Sequence, residues 1–327
     1  MEPRVRHPDL SPTTFHGMVT VAPQMLRLFE LIRRAGRSDA TVLVRGESGT
    51  GKELVASALH ACSPRSGHAF QAVNCATFTS ELLASELFGH VRGAFTGAIR
   101  DRKGLLSLAH RGTLFLDEVA ELPVPLQAKL LQILQERTYH RVGDPRSRPA
   151  DVRVVAATNV DLDEATKSGR FREDLRFRLE VVPLRVPSLE HRRVDIRPLA
   201  ESFLVAAAAR HPGLRARELS PNAAAALVHA EWPGNVRQLR NTLEAGMVRA
   251  HARGHERIEV SDLFHDHPGT PDATWQDATR QFQRRLLEAT LIEEGWSVPA
   301  AAKRLDLARS RAYELVRAMG LVAPTVR

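Results

Sequence analysis

The chain has 327 residues, 43% of them hydrophobic and 26% charged, which suits a globular protein with a buried core and roughly two domains by length. A formal net charge of +8 and an isoelectric point near 10.2 favour an anionic partner, nucleotide or nucleic acid, over an acidic or neutral surface function. Two cysteines, Cys62 and Cys75, lack metal-ligand spacing and read as reduced thiols, and the absence of a signal peptide or a long uncharged apolar run argues against a membrane span and for the cytoplasm.

Residues 1–14 hold three prolines and several charges and are expected to form a flexible arm. From Phe15 to Arg37 the spacing of Met25, Leu26, Leu28, Phe29 and Ile32 predicts a helix. Short β-rich runs follow: "TVLVRG" (41–46), "FQAVNC" (70–75), "TLFLDE" (113–118) and "VRVVAATN" (152–159). Helical stretches, Lys52–His60 and Pro125–Gln135 among them, separate these runs, so an α/β fold with a parallel sheet is expected over 15–190. From about Arg193 to Leu263 the pattern turns helical and alanine-rich, giving a helical lid over 191–265. "DHPGTPDAT" (266–274) reads as a linker, and residues 275–327 as a small all-α domain.

"GESGTGKE" (46–53) follows the first β-rich run and opens a helix. It fits the phosphate-loop pattern except at Glu53, where Ser or Thr is usual. Gly46, Gly49 and Gly51 would let the backbone N–H groups of Glu47, Ser48 and Thr50 turn toward phosphate oxygens, with Lys52 reaching the outer phosphates. "GTLFLDE" (112–118) places Asp117 and Glu118 at the C-terminal end of a buried strand, where open α/β sheets bind ligands. Asp117 would hold magnesium, and Glu118 would orient or deprotonate a water. In "FREDLRFRL" (171–179), Arg172 and Arg178 serve phosphoryl transfer only if a neighbouring subunit's nucleotide lies opposite; locally the stretch reads as a solvated charged helix. "EWPGNVRQLRN" (231–241) predicts a turn and a helix with Asn235 as N-cap, and Arg237 in its first turn hints at an external anion.

"VRGAFTGAIR" (91–100) is too glycine-rich for a regular element yet carries Phe95 with no apolar partner nearby in sequence. Either the ring packs back on the core, or it is an exposed anchor for a partner on a loop that can extend.

In this order, "GESGTGKE", "ELFGHVRGAFTGA", "GTLFLDE", "FREDLRFRL" and "WPGNVRQL" resemble the AAA+ domain of the sigma-54-dependent transcription activators, the NtrC-like enhancer-binding proteins, over about residues 15 to 265. The resemblance implies an ATPase that uses ATP and Mg2+ at the seams of a ring, a hexamer, with Lys52 as the Walker A lysine and Asp117 and Glu118 as the Walker B pair. It implies Asn74 as the switch holding Glu118, Thr158 and Asn159 as sensor I, Arg172 and Arg178 as trans-acting fingers, and Arg237 as sensor II. Glu53 is common after the lysine in this family. The Gly93, Ala94, Phe95, Thr96, Gly97, Ala98 hexapeptide would be a pore-loop tip that touches sigma-54 on the RNA polymerase holoenzyme, and "YHRVGDP" (139–145) a second, supporting loop. Arg111 and Val194 depart from the family pattern, where glycine and an acidic residue are usual.

"SVPAAAKRLDLARSRAYELVRAMGL" (297–321) reads as two short helices around a seam of Ala301, Ala302, Leu305, Leu307, Ala312, Leu315 and Val316. It resembles a Fis-type helix-turn-helix, with Arg309, Ser310, Arg311, Tyr313 and Arg317 toward double-stranded DNA; residues 275–327 carry a net +3, from nine Lys/Arg and six Asp/Glu. Asp306 and Ala308 stand where glycine and a capping serine are usual. A plain helical hairpin for dimerisation is the alternative. The function expected is a sigma-54-dependent activator tethered to upstream DNA; a nucleotide-assembled repressor without productive ATPase, or an AAA+ remodeller outside transcription, are the alternatives. About fourteen residues precede the core, so control by expression level or by a trans-acting regulator protein is expected.

Overall fold

The computed structural model describes residues 11–264 except 215, and residues 283–321 except 285, 289, 306 and 320. They form two compact units that divide between Leu263 and Phe264. The expected linker, Asp306 and the first ten residues of the expected arm lie outside the described residues.

The first unit opens with an antiparallel hairpin, β1 (Thr13–Phe15) and β2 (Met18–Thr20), not with the helix expected from Phe15. The expected arm gives way to this hairpin at Thr13. His16 and Gly17 both take positive φ and turn the chain, and Pro23 then starts α1 (Pro23–Gly36). The apolar spacing that predicts a helix is sound only from Met25 onward. Phe15 is apolar because it packs from the hairpin onto Phe29 of α1, ring centroids 4.8 Å apart.

The chain then alternates between strand and helix through β3 (Val42–Arg45), α2 (Lys52–Ala61), β4 (Phe70–Asn74) and α3 (Ser80–Phe88). A small excursion follows, β5 (Gly89–His90), β6 (Arg102–Lys103) and α4 (Leu105–Leu108), before β7 (Thr113–Asp117) and α5 (Val124–Glu136). A hairpin, β8 (Thr138–His140) and β9 (Ser147–Pro149), precedes β10 (Arg153–Thr158), α6 (Leu162–Lys167), α7 (Glu173–Leu179) and β11 (Val182–Arg185). Arg172 precedes α7 rather than lying within it. Five strands form one parallel sheet in the order β11-β3-β10-β7-β4.

Both faces of this sheet are covered, which is why its central strands β3, β7 and β10 read as continuous apolar runs. Leu43, Leu114, Leu116, Val154 and Ala156 face one core; Val42, Val44, Phe115, Val155 and Ala157 face the other. Arg153, 1% exposed, opens the central strand β10. Its guanidinium donates to the carbonyls of Ala35 (2.8 Å), Gly36 (3.1 Å) and Leu59 (3.3 Å), satisfying helix-end acceptors of α1 and α2. The helical region expected after residue 191 consists of α8 (Ile196–Arg210), α9 (Pro221–His229), α10 (Asn235–Ala252) and α11 (Val260–Leu263).

In the second unit, helices Val298–Arg304 and Arg309–Ala318 pack through the buried small residues Ala301, Ala302 and Ala312. Ala308 occupies the N-cap of the second helix and makes no capping bond. Arg309, Ser310, Arg311 and Tyr313 are exposed, Arg317 lies on the same helix, and Arg311 pairs with Glu314 at 3.1 Å.

Arg111 sits just before β7 with φ +62°, its side chain exposed and its N–H donated to the Asp151 carbonyl at 2.7 Å. The left-handed region costs an L side chain energy that glycine does not lose. Arg111→Gly is expected to stabilise the chain by about 1 kcal/mol, a Tm rise of about 3 °C in a thermal melt. An unchanged or lower Tm would contradict this.

Candidate functional site

The C-terminal ends of the parallel strands converge on one edge of the sheet. Arg45, Asn74, Asp117 and Thr158 are the last residues of β3, β4, β7 and β10, and Asn74 lies in register beside Asp117. Each strand thus hands a functional segment to the same place, as open α/β sheets do. The loop from Gly46 to Gly51 leaves β3, and Gly51, at φ +102°, precedes the first turn of α2.

This loop is held from the helical region. Asn235 Nδ2 donates to Glu47 Oε2 and to the Ser48 carbonyl, both at 3.0 Å. The Arg237 N–H donates to the Gly49 carbonyl at 3.2 Å, and its guanidinium reaches Ser48 Oγ at 3.4 Å. Arg192, 4% exposed, donates to the Thr50 carbonyl at 3.0 Å. Gly49 must be glycine: at φ +78°, a Cβ there would meet the Gly234 carbonyl at 2.2 Å. The Asn235 side chain does not cap α10 as expected; it reaches sideways to the loop and accepts the Leu189 N–H at 2.7 Å. Spacing from the Trp-Pro-Gly turn indicates a helix start but not where the amide points.

A cavity of about 240 Å³ opens over the loop, with Lys52, Glu53, Asp117 and Glu118 on one wall. Phe203 of α8 and Val236, Arg237 and Arg240 of α10 form the other. Phe203, Arg240 and Arg192 carry no signal in the sequence. Phe203 and Arg240 lie in helices whose faces cannot be assigned without the lid's orientation, whereas Arg192 sits at a kink before α8 with non-helical φ −137° and ψ +47°, and a charged residue that buried is unusual. Lys52, 6% exposed, donates to the Gly46 carbonyl at 2.9 Å and pairs with Glu118 Oε1 at 3.3 Å. Glu118 takes φ +50°, a strained conformation at the end of β7, and accepts the Asn159 N–H at 3.2 Å. Asn159 does not line the cavity. Asn74 does not hold Glu118, contrary to expectation. Its Nδ2 lies 3.3 Å from Asp117 Oδ2, because the paired strands β4 and β7 end together, whereas Glu118 is drawn toward Lys52.

Burial, then the neighbouring charge of Glu118, pushes the Asp117 carboxyl above the ordinary carboxylate range, against the pull of Lys52. Two crowded carboxylates facing one buried lysine suit a divalent cation. Beside them, burial and then the charges of Asp117 and Glu118 push the Cys75 thiol up to about 12.

Arg172 and Arg178 do not line the cavity. Arg172 makes two bonds to Asp174, at 3.0 and 2.8 Å, and Arg178 stands exposed in the last turn of α7.

Of the two readings left open for Phe95, the ring here packs back rather than standing exposed. It is half-buried, edge-on to the His90 ring with centroids 5.0 Å apart and an interplanar angle of 71°. His90 is buried and bonded to Ser85 Oγ at 2.7 Å. Gly143 of the second loop, at φ +79°, leaves room for Ala94; a Cβ would come within 2.7 Å of the Ala94 methyl. Ile99 is the apolar residue left bare here, 82% exposed.

Residues 18–185 match the family described as "Sigma-54 interaction domain", and residues 190–279 match "AAA+ ATPase lid domain". The chain belongs to the family of sigma-54-dependent transcriptional regulators. It is 42% identical over 333 residues to the Nif-specific regulatory protein of Klebsiella oxytoca, covering 98% of this chain and 63% of that protein. It is 43% identical over 301 residues to the transcriptional regulatory protein GlrR of Escherichia coli K12, covering 92% and 67%. The chain thus spans less than two thirds of the Nif-specific relative's length. The crystal structure of NtrX from Brucella abortus in complex with ATP matches with a TM-score of 0.70 and 34% identity, covering 93% of this chain and 69% of that one. The fold is AAA+, a parallel sheet followed by a helical lid. No helix among the described residues is long and apolar enough to cross a membrane.

With its thiol pushed up to about 12, Cys75 is expected to resist iodoacetamide at pH 8 in the folded chain while the partly exposed Cys62 reacts, and both to react in denaturant. Equal labelling of both thiols in the native chain, read by peptide mass, would contradict this environment.

Proposed function

We propose that this chain binds ATP with Mg2+ in the cavity between loop 46–51 and the lid, and that ATP hydrolysis in a ring oligomer, a hexamer, remodels the sigma-54 RNA polymerase closed complex. One observation carries the reading: Lys52, Asp117, Glu118 and Arg237 line a single cavity at the end of a parallel sheet. NtrX from Brucella abortus, similar over most of this chain, has been crystallised with ATP and with ADP.

Magnesium, held by Asp117, would neutralise charge on the phosphates. The remaining steps belong to this chain's own groups. Triphosphate oxygens take Lys52 away from Glu118, which frees the Glu118 carboxylate to orient and deprotonate the attacking water. Arg237 contacts the phosphates from the lid. Arg172 and Arg178, remote from their own cavity, serve the neighbouring protomer's nucleotide in trans. Asn74 senses the pair through Asp117, its contact in this conformation. The Gly93–Ala98 loop reaches sigma-54 once Phe95 leaves His90, and the exposed face of the Arg309–Ala318 helix tethers the ring to upstream DNA. The setting is cytoplasmic.

Glu118→Gln is expected to bind ATP within about threefold of the unaltered chain while turnover falls about 10²- to 10⁴-fold. Lys52→Ala is expected to lose binding itself. Undiminished hydrolysis by Glu118→Gln, measured as phosphate release, would remove Glu118 from the reaction.

A further inference from the structure

Glu47 raises a problem of charge. It is a carboxylate inside a loop whose surroundings suit phosphate oxygens, and an anion there opposes the ligand electrostatically. Its side chain, however, bonds to Asn235 of the lid helix, Oε2 accepting from Nδ2 at 3.0 Å. Asn235 is fully buried and sits at φ +50°, a conformation that costs energy and persists only where the surroundings enforce it. Its side chain makes further polar contacts at the same time. The amide nitrogen also donates to the Ser48 carbonyl at 3.0 Å, and the oxygen accepts the Leu189 N–H at 2.7 Å. Leu189, itself buried, lies between the sheet domain and α8. Two residues later on α10, the Arg237 N–H reaches the Gly49 carbonyl and its guanidinium reaches Ser48 Oγ.

We propose that Glu47 and Asn235 form a clasp that locks the lid helix and the interdomain segment at Leu189 onto the phosphate loop, so that Asn235 sets the position from which Arg237 meets the nucleotide. The Glu47 side chain is therefore a positioning group for the lid and not itself a nucleotide ligand. The proposal rests on the nucleotide reading above for its ligand, but the clasp joins residues of this chain alone and is testable without nucleotide.

The polarity of the pair supplies the test. Asn235→Asp sets two carboxylates face to face while keeping the acceptor for the Leu189 N–H. Adding Glu47→Gln restores a bond of reversed polarity, with the amide donor now on the loop and the carboxylate acceptor on the lid helix. Three measurements are made on the full chain: hydrogen exchange of peptides covering 46–51 and 189 without nucleotide, Tm, and ATP and ADP affinity with turnover. Asn235→Asp is expected to raise exchange at both peptides and to lower ATP affinity about tenfold, with the preference for ATP over ADP falling, an effect expected equally of Arg237→Ala measured beside it. The double variant Glu47→Gln/Asn235→Asp is expected to recover part of the exchange protection and ATP affinity lost in Asn235→Asp, and not all of it, because the Ser48 carbonyl still lacks the donor that the Asn235 amide gave it. Failure of the double variant to recover, or a loss in Glu47→Gln alone as large as in Asn235→Asp, would overturn the clasp. A drop in Tm with no change in the ATP-to-ADP preference would also overturn it, since that marks a merely structural contact. If the unaltered chain binds no ATP, the functional reading fails while the exchange result still decides whether the clasp exists.

Discussion

Lys52 is a cation with only 6% of its surface exposed, and the arrangement of the site follows from how that charge is met. A buried ammonium left unpaired would give up its proton or destabilise the fold. Here the Gly46 carbonyl and the Glu118 carboxylate compensate it, which draws Glu118 off the strand axis into a left-handed conformation. Asp117, next to it, keeps its partners in the sheet, bonded to Asn74 and to the Glu118 N–H. The site is thus a set of opposed charges in provisional pairings. An incoming polyphosphate and its cation would supply better partners to both sides at once, and under the proposed reading binding and rearrangement would then be one event.

The segments around the site converge in the same way. β4, β7 and β10 deliver Asn74, Asp117 and Thr158 to one edge because a parallel sheet ends its strands together. The excursion bearing Phe95 leaves from β5, directly after α3, and it is steadied by the second loop: the Val91 N–H donates to the Val142 carbonyl at 3.1 Å and the Val142 N–H to the Gly89 carbonyl at 2.8 Å. The base of the Phe95 loop is continuous with α3, which ends at Phe88 where β5 begins at Gly89. Phe95 itself rests on His90 in this conformation, so its use by a partner requires that it first come off a ring it already contacts.

Much of this is legible in the residues alone. Four of the five strands of the sheet and the loop at 46–51 announce themselves, the strands because they carry β-rich apolar runs and the loop because glycine at Gly49 and Gly51 answers a positive-φ requirement, whereas the short edge strand β11 carries only one buried residue and gives no such run. The opening hairpin is not legible: Phe15 and Met18 are apolar for tertiary reasons, and their spacing runs into the true helical pattern of α1. Direction of side chains is the other blind spot. Asn235 and Asn74 stand out as important, but spacing makes one a cap and family likeness makes the other a partner of Glu118, since neither says which neighbour an amide will choose. Arg192 and Arg153 leave no periodic signal at all. Their bonds to carbonyls on segments more than ninety residues away exist only once the chain has folded.

The most direct test of the central claim, that nucleotide chemistry at this cavity drives the Phe95 loop against sigma-54 holoenzyme, is promoter melting read by permanganate footprinting on a sigma-54 promoter with ATP. The account predicts that the unaltered chain exposes unpaired thymines, and that Phe95→Ala hydrolyses ATP at a comparable rate yet leaves the promoter closed. Full melting by Phe95→Ala would contradict it.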